Sequence, residues 1–193
     1  MSNEYQLTDW FLHNWSRASL VTTIILLVIA PLVYLGTGIA VFLIFLWLPF
    51  YMLHQYEEHA DGKLIEYYQK KMPDIAPYLS KWKLLIVNIV FIWLMFLISI
   101  YCAFVGKFAL ALYAPYVSLV NALVTVAQAL RWRAYSPGLW TALLLFLPGA
   151  TLTILVFSVL GTTRTDNLVG FGLGVLAHIF FFALGRGWVA RSL

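Results

Sequence analysis

The chain has 193 residues, of which 63% are hydrophobic and 10% charged, with a mean hydropathy of +0.88 and a formal net charge of +4. Such a chain cannot fold as a water-soluble globule without exposing much of its apolar surface, so it reads as an all-α, polytopic transmembrane bundle. The single Cys102 excludes an intramolecular disulfide, and the basic residues flank apolar segments without forming a separate patch, which argues against nucleic acid as a partner.

Residues 1–16 mix Leu7, Trp10, Phe11 and Trp15 with polar residues and predict a short helix lying in the membrane interface. No secretory leader is expected, because Glu4 and Asp9 stand where basic residues would, and the apolar run that follows is too long. Apolar length predicts six spans within residues 17–186, at about 17–35, 39–58, 82–105, 108–130, 139–160 and 168–185. Gly36-Thr-Gly38 turns the first span into the second as a helical hairpin, and Tyr135-Ser-Pro-Gly138 turns the fourth into the fifth. Residues 59–81 interleave Lys63, Lys70 and Lys71 with Leu64, Ile65, Tyr67 and Tyr68 before Pro73 and Pro77, the pattern of an amphipathic surface helix and a loop. Arg17, the five lysines from Lys63 to Lys83, Arg131, Arg133, Arg186 and Arg191 fall on one side of this arrangement, against Lys107 and Arg164 on the other. That bias of ten to two predicts a multi-pass protein of the cytoplasmic (inner) membrane with both termini in the cytoplasm. No internal repeat relates the spans.

The chemistry gathers where the second span ends, at His54-Gln-Tyr-Glu57-Glu58. At about 100° per residue, Glu57 lies roughly 60° to one side of His54 and Glu58 roughly 40° to the other, so the three share a helical face. Pro49 precedes them and is expected to kink the helix and turn the cluster toward the bundle. In the fourth span Asn121, Thr125, Gln128 and Arg131 form a polar stripe, which either bonds between helices or backs the His54 cluster. In the sixth, Gly170, Gly174 and His178 recur every four residues, which draws the helix close to a neighbour and His178 into the bundle. His13 and His59 fall on other faces and read as surface residues. Gly170, Gly172 and Gly174 lie inside an apolar span, so they are not a nucleotide-binding loop.

Three readings follow. In the first, His54, Glu57, Glu58 and His178 ligate a divalent metal, zinc or non-haem iron, in a hydrolase or oxidoreductase acting on a lipid or other apolar substrate from the cytoplasmic side. Asn121, Thr125 and Gln128 then surround the ligands, and Arg131 with Tyr135 holds an anionic headgroup. In the second, Glu57 or Glu58 works without metal as the acid/base of an isomerase or hydratase. In the third, the polar groups fix helix packing in a non-enzymatic transport or assembly partner.

His54-x-x-Glu57-Glu58 at the end of an early span, then Asn121-Ala-Leu, then Tyr135-Ser-Pro-Gly-Leu-Trp-Thr141 with Pro148 beyond it, resembles the bacterial membrane proteins grouped as the HXXEE domain, over residues 38–180. The resemblance implies the five-residue motif as the site and carries no settled activity. It also implies a further histidine about one turn after the asparagine, where this chain has Thr125.

Overall fold

A backbone in hydrocarbon has only itself to bond with, so an apolar run of about 20 residues closes into a helix. In the computed structural model each of the six apolar runs does so: α1 (Asn3–Thr37), α2 (Ile39–His59), α4 (Lys81–Phe104), α5 (Phe108–Trp132), α6 (Leu139–Val159) and α7 (Arg164–Gly187), with the short α3 (Lys63–Lys71) between α2 and α4. The structure describes residues 3–74 and 76–187, with side chains over 10–183 except at 75 and 78. Side chains of residues 1–9, Arg186 and Arg191, which enter the interface and orientation arguments, lie outside the described residues. Six helices are long and apolar enough to cross a membrane. Large apolar side chains face outward along them, among them Val28, Leu35, Leu144 and Val159, the surface a lipid-facing bundle presents.

The interfacial helix and first span expected as separate pieces are one helix of 35 residues. No glycine or proline lies between them to break it, and at about 52 Å it exceeds a hydrocarbon core of about 30 Å. Gly38, with φ +81°, makes the turn into α2. The hydroxyls of Ser19 and Thr23, which donate to the Ser16 and Ser19 carbonyls of their own helix at 2.6 and 2.9 Å, also lie 3.3 Å from the carbonyls of Met52 and Pro49 across the hairpin. α2 runs on through Pro49 to His59. Asp61 and Gly62, both at positive φ, then end it and start α3, which buries Leu64 and Tyr67 and exposes its lysines as an amphipathic surface helix should.

α2 and α5 form the centre: about half of their apolar stretches is buried, against 11% for α7. Ile44, Trp47, Phe96, Leu112, Val117, Phe146 and Phe157 make the core between them and their neighbours. Two helices widen into π-helical turns, α4 over Ile86–Trp93 and α6 over Ala142–Phe146. Both wide turns lie beside the end of α2, and insertions of this kind recur at functional sites.

The glycine face of α7 packs against α5 as its spacing predicts. A β-carbon on Gly174 would lie 3.0 Å from the backbone of Tyr116 and Val117, and one on Gly170 2.8 Å from Leu112. Gly172 has open space around it. Gly174→Ala is therefore expected to cost about 1–3 kcal/mol by overpacking, while Gly172→Ala leaves stability unchanged or raises it by up to about 1 kcal/mol. Unfolding of the two variants in detergent, followed by circular dichroism, checks the contrast.

Candidate functional site

The end of α2 carries the motif into the bundle. His54 is fully buried, its ring 4.6 Å from that of Phe146 in the wide turn of α6. Both ring nitrogens have partners: Nδ1 lies 2.7 Å from the Thr141 hydroxyl and Nε2 3.0 Å from the Asn121 amide nitrogen. An amide nitrogen only donates, so Nε2 accepts and Nδ1 carries the proton. The Thr141 oxygen takes that proton and gives its own to Glu57 Oε2 at 2.6 Å, a shorter contact than the 3.1 Å to the Gly138 carbonyl.

Glu57 is committed to the start of α6. Oε1 accepts from the Tyr135 hydroxyl at 2.6 Å and the Trp140 N–H at 3.0 Å, and Oε2 from the Thr141 N–H at 2.8 Å as well as from its hydroxyl. A carboxylate at a helix N-terminus satisfies orphan N–H groups and opposes the positive end of the helix dipole. Glu57 thus caps a helix whose N–H groups lie 83 and 84 residues away in sequence, a task that Gly138, at the capping position, has no side chain to perform. Burial, and next the bond to Glu57, raises the pKa of Tyr135 above its ordinary value. It therefore stays protonated, and donating, through neutral pH. Gly138 meets two demands at once. Its φ is +86°, and a β-carbon there would strike His54, with Cε1 nearest and the ring nitrogens at 3.0 and 3.1 Å.

Glu58, one residue on, is held differently. Its Oε2 lies 3.3 Å from Nε2 of His59 and 3.8 Å from Nε2 of His54, and its side chain is 19% exposed. Two adjacent carboxylates therefore divide the work: Glu57 is saturated by four fixed donors, and Glu58 faces two imidazoles. His59, expected at the surface, is 5% exposed at its side chain. It sits against the ring of Trp15 at 5.0 Å, because α1 extends past the end of the hairpin and covers it. Beyond it runs a second buried chain of bonds. Trp93 Nε1 donates to Gln55 Oε1 at 2.8 Å, Gln55 Nε2 to Asn88 Oδ1 at 3.0 Å, and Asn88 Nδ2 lies 3.3 Å from His59 Nε2. Gln55, Asn88, Trp93, His59 and Thr141 were not picked out as site residues by sequence reasoning. Asn88 had one available signal, a lone amide in an otherwise apolar span.

Of the polar stripe on α5, Asn121 alone reaches His54. Gln128 bonds the Tyr68 hydroxyl at 3.1 Å and accepts from Ser136 at 3.2 Å, tying α5 to α3 and to the turn before α6. Thr125 is buried and donates to the Asn121 carbonyl within its own helix, and Arg131 is exposed. His178 is half-buried, with Nδ1 on the Gly174 carbonyl at 2.9 Å and within electrostatic reach of Glu58.

The metal expectation requires lone pairs aimed at one point. Here both nitrogens of His54 and both oxygens of Glu57 are taken by hydrogen bonds, which leaves Glu58 and His178 of the four ligands. Among the described residues no group of three or more His, Cys, Asp or Glu is placed to hold a metal ion. The four-ligand set read from the sequence does not assemble, and the donors present do not fit the group.

A family model described as a protein of unknown function with HXXEE motif matches residues 45–153, just over half of the chain. No curated protein and no solved structure matches. The matched stretch runs from the core of α2 to residue 153 in the second half of α6, and so contains every bond of the His54–Thr141–Glu57 chain.

Glu57→Ala removes a charged acceptor from several donors at once and is expected to cost about 2–3 kcal/mol. Gly138→Ala is expected to destabilise by at least about 1 kcal/mol through its backbone conformation alone. Arg131→Gln, at an exposed position, stays within about 0.5 kcal/mol of the parent. Midpoints of detergent unfolding for the three variants supply the comparison.

Proposed function

The chain belongs to the HXXEE family of proteins of unknown function, and from that premise we propose that it is a membrane-embedded acid–base enzyme whose proton-handling group is Glu58. In this reading it resides in the cytoplasmic membrane with both termini inside, as the distribution of lysine and arginine favours, and acts as an isomerase or hydratase on a lipid or other apolar substrate. The observation that carries the reading is the position of the Glu58 carboxylate between two imidazole Nε2 atoms, at 3.3 and 3.8 Å, while its neighbour Glu57 is spent on holding α6.

The roles divide accordingly. In an isomerisation Glu58 takes a proton from one substrate carbon and returns it to another. In a hydration it takes a proton from water, whose oxygen bonds to one carbon of a substrate double bond, and delivers that proton to the other carbon, so neither needs an oxidant or reductant. His54 and His59 exchange that proton with the carboxylate. Thr141 fixes the His54 ring by accepting from Nδ1, which presents Nε2 toward Glu58 and Asn121. If Nε2 becomes protonated, the amide of Asn121 turns to offer its oxygen, and Glu58 is the next acceptor.

A second reading, in which the polar groups hold helices together in a transport or assembly partner, is favoured by the full commitment of Glu57 to α6. One experiment separates the two. Purified protein is incubated with a membrane lipid extract in deuterated water, and the lipids are weighed by mass spectrometry. The acid–base reading expects a lipid species to gain deuterium or the mass of water with the parent protein and with chelator present, and the gain to fall at least about 100-fold in Glu58→Gln, which remains folded. No gain from any fraction, or an undiminished gain in Glu58→Gln, leaves the structural reading.

A further inference from the structure

A cleft of about 400 Å³ opens between α1, the turn from α2 to α3, and the start of α4. Its floor is apolar, from Leu12, Trp15 and Leu84, and its rim carries Arg17 and Lys81 with a single acid, Asp61. His59 forms part of the wall, so the cleft adjoins the imidazole that contacts Glu58. We propose that this cleft binds the headgroup of an anionic phospholipid. The site goes beyond the acid–base reading and does not depend on it, because its readout is lipid binding and not turnover.

The position selects the ligand. Lys81 opens the span of α4 and Arg17 lies on the strongly basic side of the bundle, so the cleft sits where headgroups lie. Basic pockets between membrane helices at this level recognise anionic headgroups. The volume suits a headgroup and leaves no room for acyl chains. Farther along the same two helices, Val21 and Ile25 of α1 and Ile86 and Val90 of α4 are exposed and apolar, as a surface for those chains requires.

The rim is also built to open. Arg17 donates to Asp61 at 2.7 Å across 44 residues of sequence, but the two side chains are 60% and 65% exposed. Solvent-exposed pairs are weak and easily exchanged. A phosphate brings two or more strong acceptors to the guanidinium and adds the ammonium of Lys81 as a second donor, so it replaces Asp61. Asp61 holds a φ of +59°, a conformation few side chains tolerate. Asparagine accepts that backbone as readily, so Asp61→Asn removes the competing charge and keeps the turn.

The test uses the full chain in phosphatidylcholine vesicles with increasing fractions of brominated phosphatidylglycerol or brominated phosphatidylcholine, reading quenching of tryptophan fluorescence. The parent protein is expected to be quenched at a lower fraction of the anionic lipid, and Trp15→Phe to lose that difference. Arg17→Gln and Lys81→Gln each weaken the preference about fivefold, and Lys81→Arg retains it. Asp61→Asn strengthens it, a gain that misfolding cannot produce. Equal quenching by the two lipids in the parent, an unchanged preference in the Arg17→Gln/Lys81→Gln double variant, or displacement of the lipid by free glycerol phosphate would each overturn the proposal.

Discussion

The carboxylate of Glu57 ties the end of α2 to the start of α6. α6 begins with N–H groups that nothing in its own sequence caps, since Gly138 stands where a serine or aspartate would serve, and α2 ends with an acid one turn beyond a buried histidine. Bringing the two together satisfies both, with four hydrogen bonds of 2.6 to 3.0 Å. The position of His54 depends on that joint. Its Nδ1 proton goes to Thr141, the same residue whose backbone and hydroxyl hold Glu57, so the orientation of the ring is set by the cap. Gly138 lets the start of α6 come this close, because any side chain there would occupy the place of the imidazole.

Two chains of hydrogen bonds pass beside Glu58, whose Oε2 lies 3.8 Å from His54 in one and 3.3 Å from His59 in the other. One passes from Asn121 through His54 and Thr141 to Glu57 and Tyr135, and the other from Trp93 through Gln55 and Asn88 to His59. Buried polar groups in a membrane bundle are costly when unmatched, and each member of these chains is matched by the next. The two π-helical turns make the matching possible. The one in α4 contains Asn88 and Trp93, and the one in α6 places Phe146 against His54. The surplus residue of a wide turn re-aims the side chains near it without ending the helix.

The adjacent glutamates illustrate how one motif supports unlike roles. They differ by 100° of rotation about α2, which points Glu57 at the N-terminus of α6 and Glu58 at the two histidines. Four fixed donors surround the first, and two imidazoles face the second. Under the acid–base proposal, that contrast gives the motif one carboxylate that holds α6 and one that handles the proton, in place of the two acid ligands of a metal centre.

Hydropathy and length alone determined the six helices and nearly all of their ends, because a backbone in hydrocarbon has one way to satisfy itself and glycine turns mark where it stops. Spacing within a single helix was legible for the same reason: the shared face of His54, Glu57 and Glu58, and the glycine face of α7 that packs on Tyr116 and Val117. What a side chain meets on another helix was not legible. Asn121 and Gln128 lie on one stripe of α5, yet one reaches His54 and the other Tyr68, since the neighbours of α5 change along its length. Helical rotation placed His59 away from His54, but α1 continues past the hairpin and buries it against Trp15. Periodicity fixes directions around one axis; the rotations and depths of the other helices decide which groups touch, and those are set only when the whole bundle packs.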